Sequence, residues 1–405
     1  MEIPKGVKVA GQPIFMETYV LQLIKNLYGQ KQASWVWHLW MTERLLCMGF
    51  TQSTIDPCVF YYKGTIMLVY VDDAILLGPM REGINAVMKL LHSQFSIEDE
   101  GEISDYPGVK VTKNQNGTIT LTQPHLIQSI LSDLHLLDNK QATSRTLPAL
   151  TTKILHPDTQ GTPFDNSFHY RSVIGKLNFL EKSTRPDIAY AVHQCARFVE
   201  RPTKLHGEAV KRIGRYLLAN PNEGIILRPN QSTFDCWVDA SHAGEWRKGS
   251  EDSMYDATTA KSRTGYILQY AGCPIIWASK LQTEIALSST EAEYIALSTA
   301  MREVIPLLRL MTEAKEYGVP IDVRQSHIYC KVFEDNSGAL EMAKAPKFRP
   351  RTKHINIKYH HFLEHVASGL LRLHAVSTEQ QIADVFTKPL AEGLFHNHRK
   401  TIMGW

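Results

Sequence analysis

Residues 66–78, IMLVYVDDAILLG, set two adjacent carboxylates, Asp72 and Asp73, inside an otherwise apolar run. Successive side chains of a strand point to opposite faces, so the pair cannot share one solvated side of a single strand. Burying an unpaired carboxylate is costly unless it meets a cation or takes up a proton. Two readings satisfy that constraint. Asp72-Asp73 is the tight turn of a β-hairpin, chosen for its turn chemistry, or it is a divalent-metal site at a hairpin tip. The run by itself leaves both open.

The same puzzle recurs toward the C-terminus. Asp239 follows the apolar CWV, and Asp335 follows IYCKVF and Glu334. The patterning predicts strands over 234–241, 265–271, 273–279, 326–334 and 370–376, with helices over 289–314, 337–343, 354–367 and 378–387. Two strands ending in Asp would present carboxylates at one sheet edge. Glu293 lies on the helical stripe of Ala296, Ala300, Val304 and Leu307, which should face that sheet. Asp384 stands in ADVF on the last of these helices. Taken singly, each acid reads as a cap or turn residue. Acids from separate elements converge only around something positive, because like charges raise one another's pKa. Mg²⁺ suits such a set, being hard, oxygen-seeking and tolerant of bound water. The His and Cys residues show no zinc spacing.

Composition bounds the remainder. A chain of 405 residues with 43% hydrophobic content supports two or three packed domains. Net charge is only +3, so any polyanion site must be a local patch. The candidate is residues 344–361, KAPKFRPRTKHINIKYHH, with six Lys or Arg, no acid, and Phe348 and Tyr359 interleaved. Lys347, Arg349, Arg351, Lys353 and Lys358 would meet phosphates and Phe348 would stack; the plainer reading is a solvated loop and helix face. The six cysteines form no CxxC pair and read as reduced, mostly buried thiols of an intracellular protein. With neither a signal-peptide core nor a long apolar run, no membrane span is expected.

The first part of the chain reads as a helix over 18–48 interrupted at Gly29, strands within 58–78, an amphipathic helix from Ile84 to Phe95, a hairpin over 107–122 turning at Gln115-Asn116-Gly117, and a helix over 125–137. Residues 138–168 read as irregular, and helices return at 170–182, 186–199 and 203–219. These segments define three expected domains: 1–137, 138–232 and 233–405.

Many of these stretches also resemble, in order, one family. LYGQKQASWVW (27–37), MGF (48–50), DPCVFYYK and YVDD are followed by RPDIAYAVHQCARFVERPTKLHGEAVKRIGRYL (185–217). KSRTGYI, WASKLQTEIALSSTEAEYIAL, EDNSGAL, TKHINIKYHHFLEHV and QQIADVFTKPL complete the series. Together they resemble the reverse transcriptase remainder and ribonuclease H of a copia-type LTR-retrotransposon Pol polyprotein. The resemblance implies a multidomain α+β and α/β chain: a partial polymerase palm, a helical connection, and a C-terminal ribonuclease H-like domain with a mixed sheet.

It also implies roles. Asp72 and Asp73 match the hairpin-tip carboxylates of the palm, and Asp239, Glu293, Asp335 and Asp384 match the four ribonuclease H acids, each set holding two Mg²⁺. Glu293 is preferred to Glu291 because it precedes the aromatic residue. The implied chemistry is hydrolysis of RNA in an RNA–DNA hybrid, with nucleotide addition to a template-primer by the palm. Implied partners are those nucleic acids and other Pol or Gag products, in cytoplasmic particles or the nucleus. The third palm aspartate would lie upstream of Met1, so the polymerase is expected to be incomplete. Gln30, Pro107, His242 and Pro306 depart from the family pattern, and an interior Pro costs a helix about 3 kcal/mol. Those departures favour a decayed, non-catalytic nucleic-acid binder; the retained acids favour chemistry. His374, near the place of a loop histidine in cellular enzymes, is expected to be a packed or surface residue.

Overall fold

The computed structural model describes residues 8–9, 12–13, 26–27, 29–106, 108–137, 143–151, 154–321, 327–344 and 360–405. Pro107, the start of the 354–367 helix and the basic residues Lys347, Arg349, Arg351, Lys353 and Lys358 with Phe348 lie outside them. The chain divides into two compact units: residues 1–98 with 309–321, and residues 99–308 with 322–405.

In the first unit, α1 (Ala33–Cys47) precedes the strands β1 (Thr51–Gln52), β2 (Val59–Tyr62), β3 (Thr65–Tyr70) and β4 (Asp73–Leu77), followed by α2 (Arg81–His92). The strands form an antiparallel meander in chain order. Strict alternation sends Thr65, Met67 and Val69 of β3 inward, and Met67 and Val69 share a core with Leu45, Phe60, Val87 and Leu91. Strand pairing runs from Ile66 opposite Leu77 to Tyr70 opposite Asp73. The turn is therefore Val71-Asp72, one residue earlier than Asp72-Asp73. Val71 takes a positive φ of 54°, an uncommon conformation for a β-branched residue. Asp72 and Asp73 are both exposed at the hairpin tip, where both readings of the run put them.

Residues 309–321 complete this unit. The Glu313 carboxylate accepts hydrogen bonds from the Thr54 amide at 2.8 Å, the Thr54 hydroxyl at 2.7 Å and the Tyr61 hydroxyl at 3.1 Å, and from Ser53 Oγ. Tyr317 stacks on Tyr61 with ring centroids 4.7 Å apart.

The second unit begins with β5 (Asp105–Tyr106), β6 (Val109–Lys113) and β7 (Ile119–Thr122). The hairpin expected around Asn116-Gly117 forms, with Lys113 opposite Ile119 and Gly117 at φ 79°. Helices α3 (Pro124–Asp133), α4 (Tyr170–Ser183), α5 (Ala189–Ala196) and α6 (Lys204–Ala219) follow, and β8 (Ile225–Leu227) joins the edge of the hairpin sheet beside β7. A five-stranded sheet comes next: β9 (Phe234–Ser241), β10 (Arg263–Tyr270), β11 (Cys273–Leu281), β12 (Cys330–Glu334) and β13 (Leu371–Ala375). Its order is β11-β10-β9-β12-β13, antiparallel among the first three and parallel among the last three.

Helix α7 (Ser289–Glu316) links β11 to β12, followed by α8 (Ser337–Lys344), α9 (Leu363–Ala367), α10 (Asp384–Thr387) and α11 (Glu392–Met403). Strand β12 is shorter than the 326–334 expected. The 378–387 helix is broken into a 3-10 turn, Thr378–Gln380, and the single turn of α10.

Compactness groups residues differently from three sequential domains. One core joins Ile127 and Ile130 of α3, Leu177 of α4, Val192 of α5, Ile213 of α6, Ile267 of β10 and Phe386 of α10. The connecting helices thus bury their apolar faces in the same interior as the C-terminal sheet. Arg185 is fully buried as well. Its Nε and Nη2 donate to the two Asp187 oxygens at 2.9 and 2.8 Å, and its Nη1 donates to the Asn220 carbonyl at 3.0 Å. The Tyr216 hydroxyl also donates to Asp187, at 2.5 Å. Of the six thiols, Cys195, Cys236 and Cys330 are buried and Cys47 and Cys58 exposed, so burial is less general than expected.

Candidate active site

Asp239 sits near the end of the central strand β9 and is 2% exposed. Parallel pairing of β9 with β12 places Trp237 opposite Phe333, and their rings stack at 4.1 Å. Two residues further along, the same register brings Asp335 beside Asp239. Glu293 enters from the first turns of α7. One carboxylate oxygen from each of Asp239, Glu293 and Asp335 lies within 4.8 Å of the others. Three of the four C-terminal acids singled out in the sequence therefore converge.

The fourth, Asp384, flanks this group. It lies beside Asp239 on α10, where Lys388 Nζ approaches its Oδ1 to 2.8 Å. Thr387 of the same turn donates its hydroxyl to Asp239. This close approach of α10 to the sheet depends on Gly265, the residue paired with Asp239 on β10. A Cβ at that position would stand 2.5 Å from Thr387 Cγ2, 2.8 Å from Phe386 Cβ and 3.0 Å from the Ala383 carbonyl oxygen.

Electrostatics mark the group as short of positive charge. Burial, followed by the charges of Glu334, Asp239 and Asp335, pushes the Glu293 carboxyl up to about 11. Burial and Asp239 push Asp384 up to about 7, while Asp239 is raised by burial despite the opposing influence of Lys388 and Thr387. Glu293 Oε2 is buried without a hydrogen-bond partner. Hard oxygen donors whose carboxyls are raised by burial and by one another's charges, as in Glu293 and Asp384, fit a divalent ion such as Mg²⁺, whose charge would offset both.

Several participants were not singled out in the sequence. Glu334 is 0% exposed, its carboxyl raised well above the usual range by burial, and it adds charge against Glu293. Strand alternation carries the signal, because Cys330, Val332 and Glu334 share the inward face of β12. Thr387 and Lys388 stand within the quoted QQIADVFTKPL, and Gly265 within KSRTGYI, without spacing that separates them from their neighbours. Glu291 turns back to accept from the Leu287 amide at 2.8 Å, as a residue capping the start of α7. His374 is an exposed strand residue with its ring against Phe333 at 5.5 Å. Asp72 and Asp73 belong to the first unit and are not members of the carboxylate group.

Residues 1–148 match the family described as "Reverse transcriptase (RNA-dependent DNA polymerase)". The Retrovirus-related Pol polyprotein from transposon RE1 of Arabidopsis thaliana is 34% identical over 389 residues, covering 95% of this chain and 25% of that protein. The Putative transposon Ty5-1 protein YCL074W of Saccharomyces cerevisiae is 30% identical over 292 residues, covering 71% of this chain and 90% of its own length. The chain belongs to the copia-type retrotransposon Pol family. It spans about a quarter of the RE1 polyprotein. Among solved structures, LC11-RNase H1, isolated from compost, is similar over 39% of this chain and 94% of its own, at 16% identity and a TM-score of 0.27. In this Pol chain, the second unit carries the carboxylate group and the first carries the YVDD hairpin. Among the described residues no helix is long and apolar enough to cross a membrane.

Proposed function

We propose that this Pol chain hydrolyses the RNA strand of RNA–DNA hybrids at Asp239, Glu293, Asp335 and Asp384. The observation that carries the reading is the approach of three buried or half-buried carboxylates to within 4.8 Å of one another. Asp239, Glu293 and Asp335 would hold Mg²⁺, and Asp384 would border the same site. Bound Mg²⁺ would supply an activated water and charge stabilisation of the leaving oxygen. The protein's own contribution is orientation: the Thr387 hydroxyl fixes Asp239, Lys388 holds Asp384, and the Thr378 hydroxyl fixes Asp335 Oδ2 at 2.7 Å. Glu334, fully buried beside the group, offers a further carboxyl whose proton a bound cation would displace.

Cleavage of a labelled hybrid with Mg²⁺ tests this reading. The wild-type chain should cut the RNA strand and stop on chelation. Asp239→Asn should lose at least a hundredfold in rate while its thermal midpoint stays level or rises, because one repelling charge has gone. Hybrid binding without cleavage by the wild type would instead support the non-catalytic reading, which the departures at His242 and Pro306 motivated. The polymerase role of Asp72 and Asp73 is a second reading, supported by the family match over residues 1–148. Its test is primer extension by the wild type and by Asp72→Asn.

A further inference from the structure

In the second unit, a cavity of about 230 Å³ opens between residues 145–150, Leu155 and helices α5 and α6. One wall is apolar, formed by Leu155, Ala191, Leu205 and Ile213. Arg145, Arg212 and Arg215 also line it. Arg212 and Arg215 are three residues apart on α6 and therefore neighbours on its surface. The Arg145 amide donates to the Arg215 carbonyl at 3.2 Å, which fastens the covering segment to the helix.

Among the described residues, no carboxylate pairs with Arg145, Arg212 or Arg215. The Nε atoms of Arg212 and Arg215 are buried without a hydrogen-bond partner. The acid at the rim, Glu208, is half exposed, with its carboxylate 4.0 Å from Lys211. Burial, then the charges of Arg145 and Arg215, hold Arg212 below its ordinary pKa. Like charges and unmade hydrogen bonds both cost free energy, which an anion with several acceptor oxygens would recover.

We propose that this cavity binds a nucleotide, its phosphate on Arg145, Arg212 and Arg215 and its base against the apolar wall. The guanidinium fork matches phosphate oxygens two at a time. A bare inorganic anion would satisfy the arginines but leave the wall unused, and an uncharged base would leave the arginines as they are. The nucleotide can be free or one unit of a single strand. The proposal does not depend on hydrolysis at Asp239.

Calorimetric titration of the full chain with AMP, adenosine and inorganic phosphate, in chelator, provides the test. Its companion is hydrogen exchange of residues 145–150 and 205–215 with AMP or a 5′-phosphorylated DNA oligonucleotide. AMP should bind at least tenfold more tightly than adenosine or phosphate and protect both segments. Protection by the oligonucleotide but not by AMP would assign the same site to a nucleotide carried on a strand. Arg212→Ala and Arg215→Ala should each weaken binding at least tenfold. Ala209→Phe should do the same while keeping all three cations, since Ala209 also lines the cavity. Arg212→Lys, which keeps the charge and the helix but loses the fork, gives an intermediate loss that a folding defect would not. Absence of protection by either probe, or binding unchanged in Ala209→Phe and the arginine variants, overturns the proposal.

Discussion

Arg185 and Asp187 illustrate how much a single side chain can carry when both partners of an ion pair are withdrawn from water. Both side chains are 0% exposed; Arg185 donates to Asp187 and the Asn220 carbonyl, and Asp187 accepts from Arg185 and Tyr216. Burial alone would raise Asp187, but Arg185 and Tyr216 overcome it and hold the carboxyl below its usual range. Arg185→Ala strands that carboxylate, so a loss of about 3–5 kcal/mol is expected in urea denaturation. Because the folded pKa is depressed, this stabilisation is present above about pH 4 and fades as pH falls from there toward the folded value. The acid-side decline in stability should therefore be shallower in a double variant, Arg185→Met with Asp187→Leu, than in the wild type. At the carboxylate group, Gly265→Ala forces α10 away from β10. Overpacking of that kind costs about 1–3 kcal/mol, and hybrid cleavage should fall further than stability, since Thr387 and Lys388 move with the helix.

At the scale of elements, helix α7 continues from Ser289 to Glu316 through Pro306. Pro306 lies on the exposed side, where the carbonyl it leaves unpaired can meet water, which explains why the helix survives a residue expected to kink it. Pro306→Ala should accordingly raise stability, by about 1–3 kcal/mol given the propensity difference between the two residues, with cleavage unchanged. Sequence patterning located this helix and most strands to within a few residues. Glu293 was legible because its partners on the stripe are apolar, and Asp239 because an apolar strand runs into it. Glu334 was legible by alternation but masked by the more conspicuous Asp335 beside it. Gly265 and Thr387 were not legible, because their roles arise from a crossing between β10 and α10 that are distant in sequence. The hairpin turn was misplaced by one residue because Asp is the commoner turn former, whereas strand register gave that place to Val71.

For the whole molecule, the division into units follows shared cores rather than chain order. The helices expected to form a separate connection bury Leu177, Val192 and Ile213 with Ile267 of β10 and Phe386 of α10. Conversely, residues 309–321 are counted with the N-terminal segment. Glu313→Ala tests that assignment. It removes the acceptor for Ser53, Thr54 and Tyr61, and unsatisfied buried donors cost about 1–3 kcal/mol. Hydrogen-exchange protection over residues 51–62 should drop while that of the five-stranded sheet stays level.

The Glu313 anchor has a consequence for how the chain is made. Ser53 leaves the ribosome 260 residues ahead of the carboxylate that receives its hydrogen bond. At roughly 5–20 residues per second of synthesis, the strands at 51–62 wait on the order of ten seconds to a minute for their last anchor. Throughout that interval Tyr61 lacks both its hydrogen-bond acceptor and the Tyr317 ring. Translation halted before Glu313 would therefore release the N-terminal segment in its least protected form.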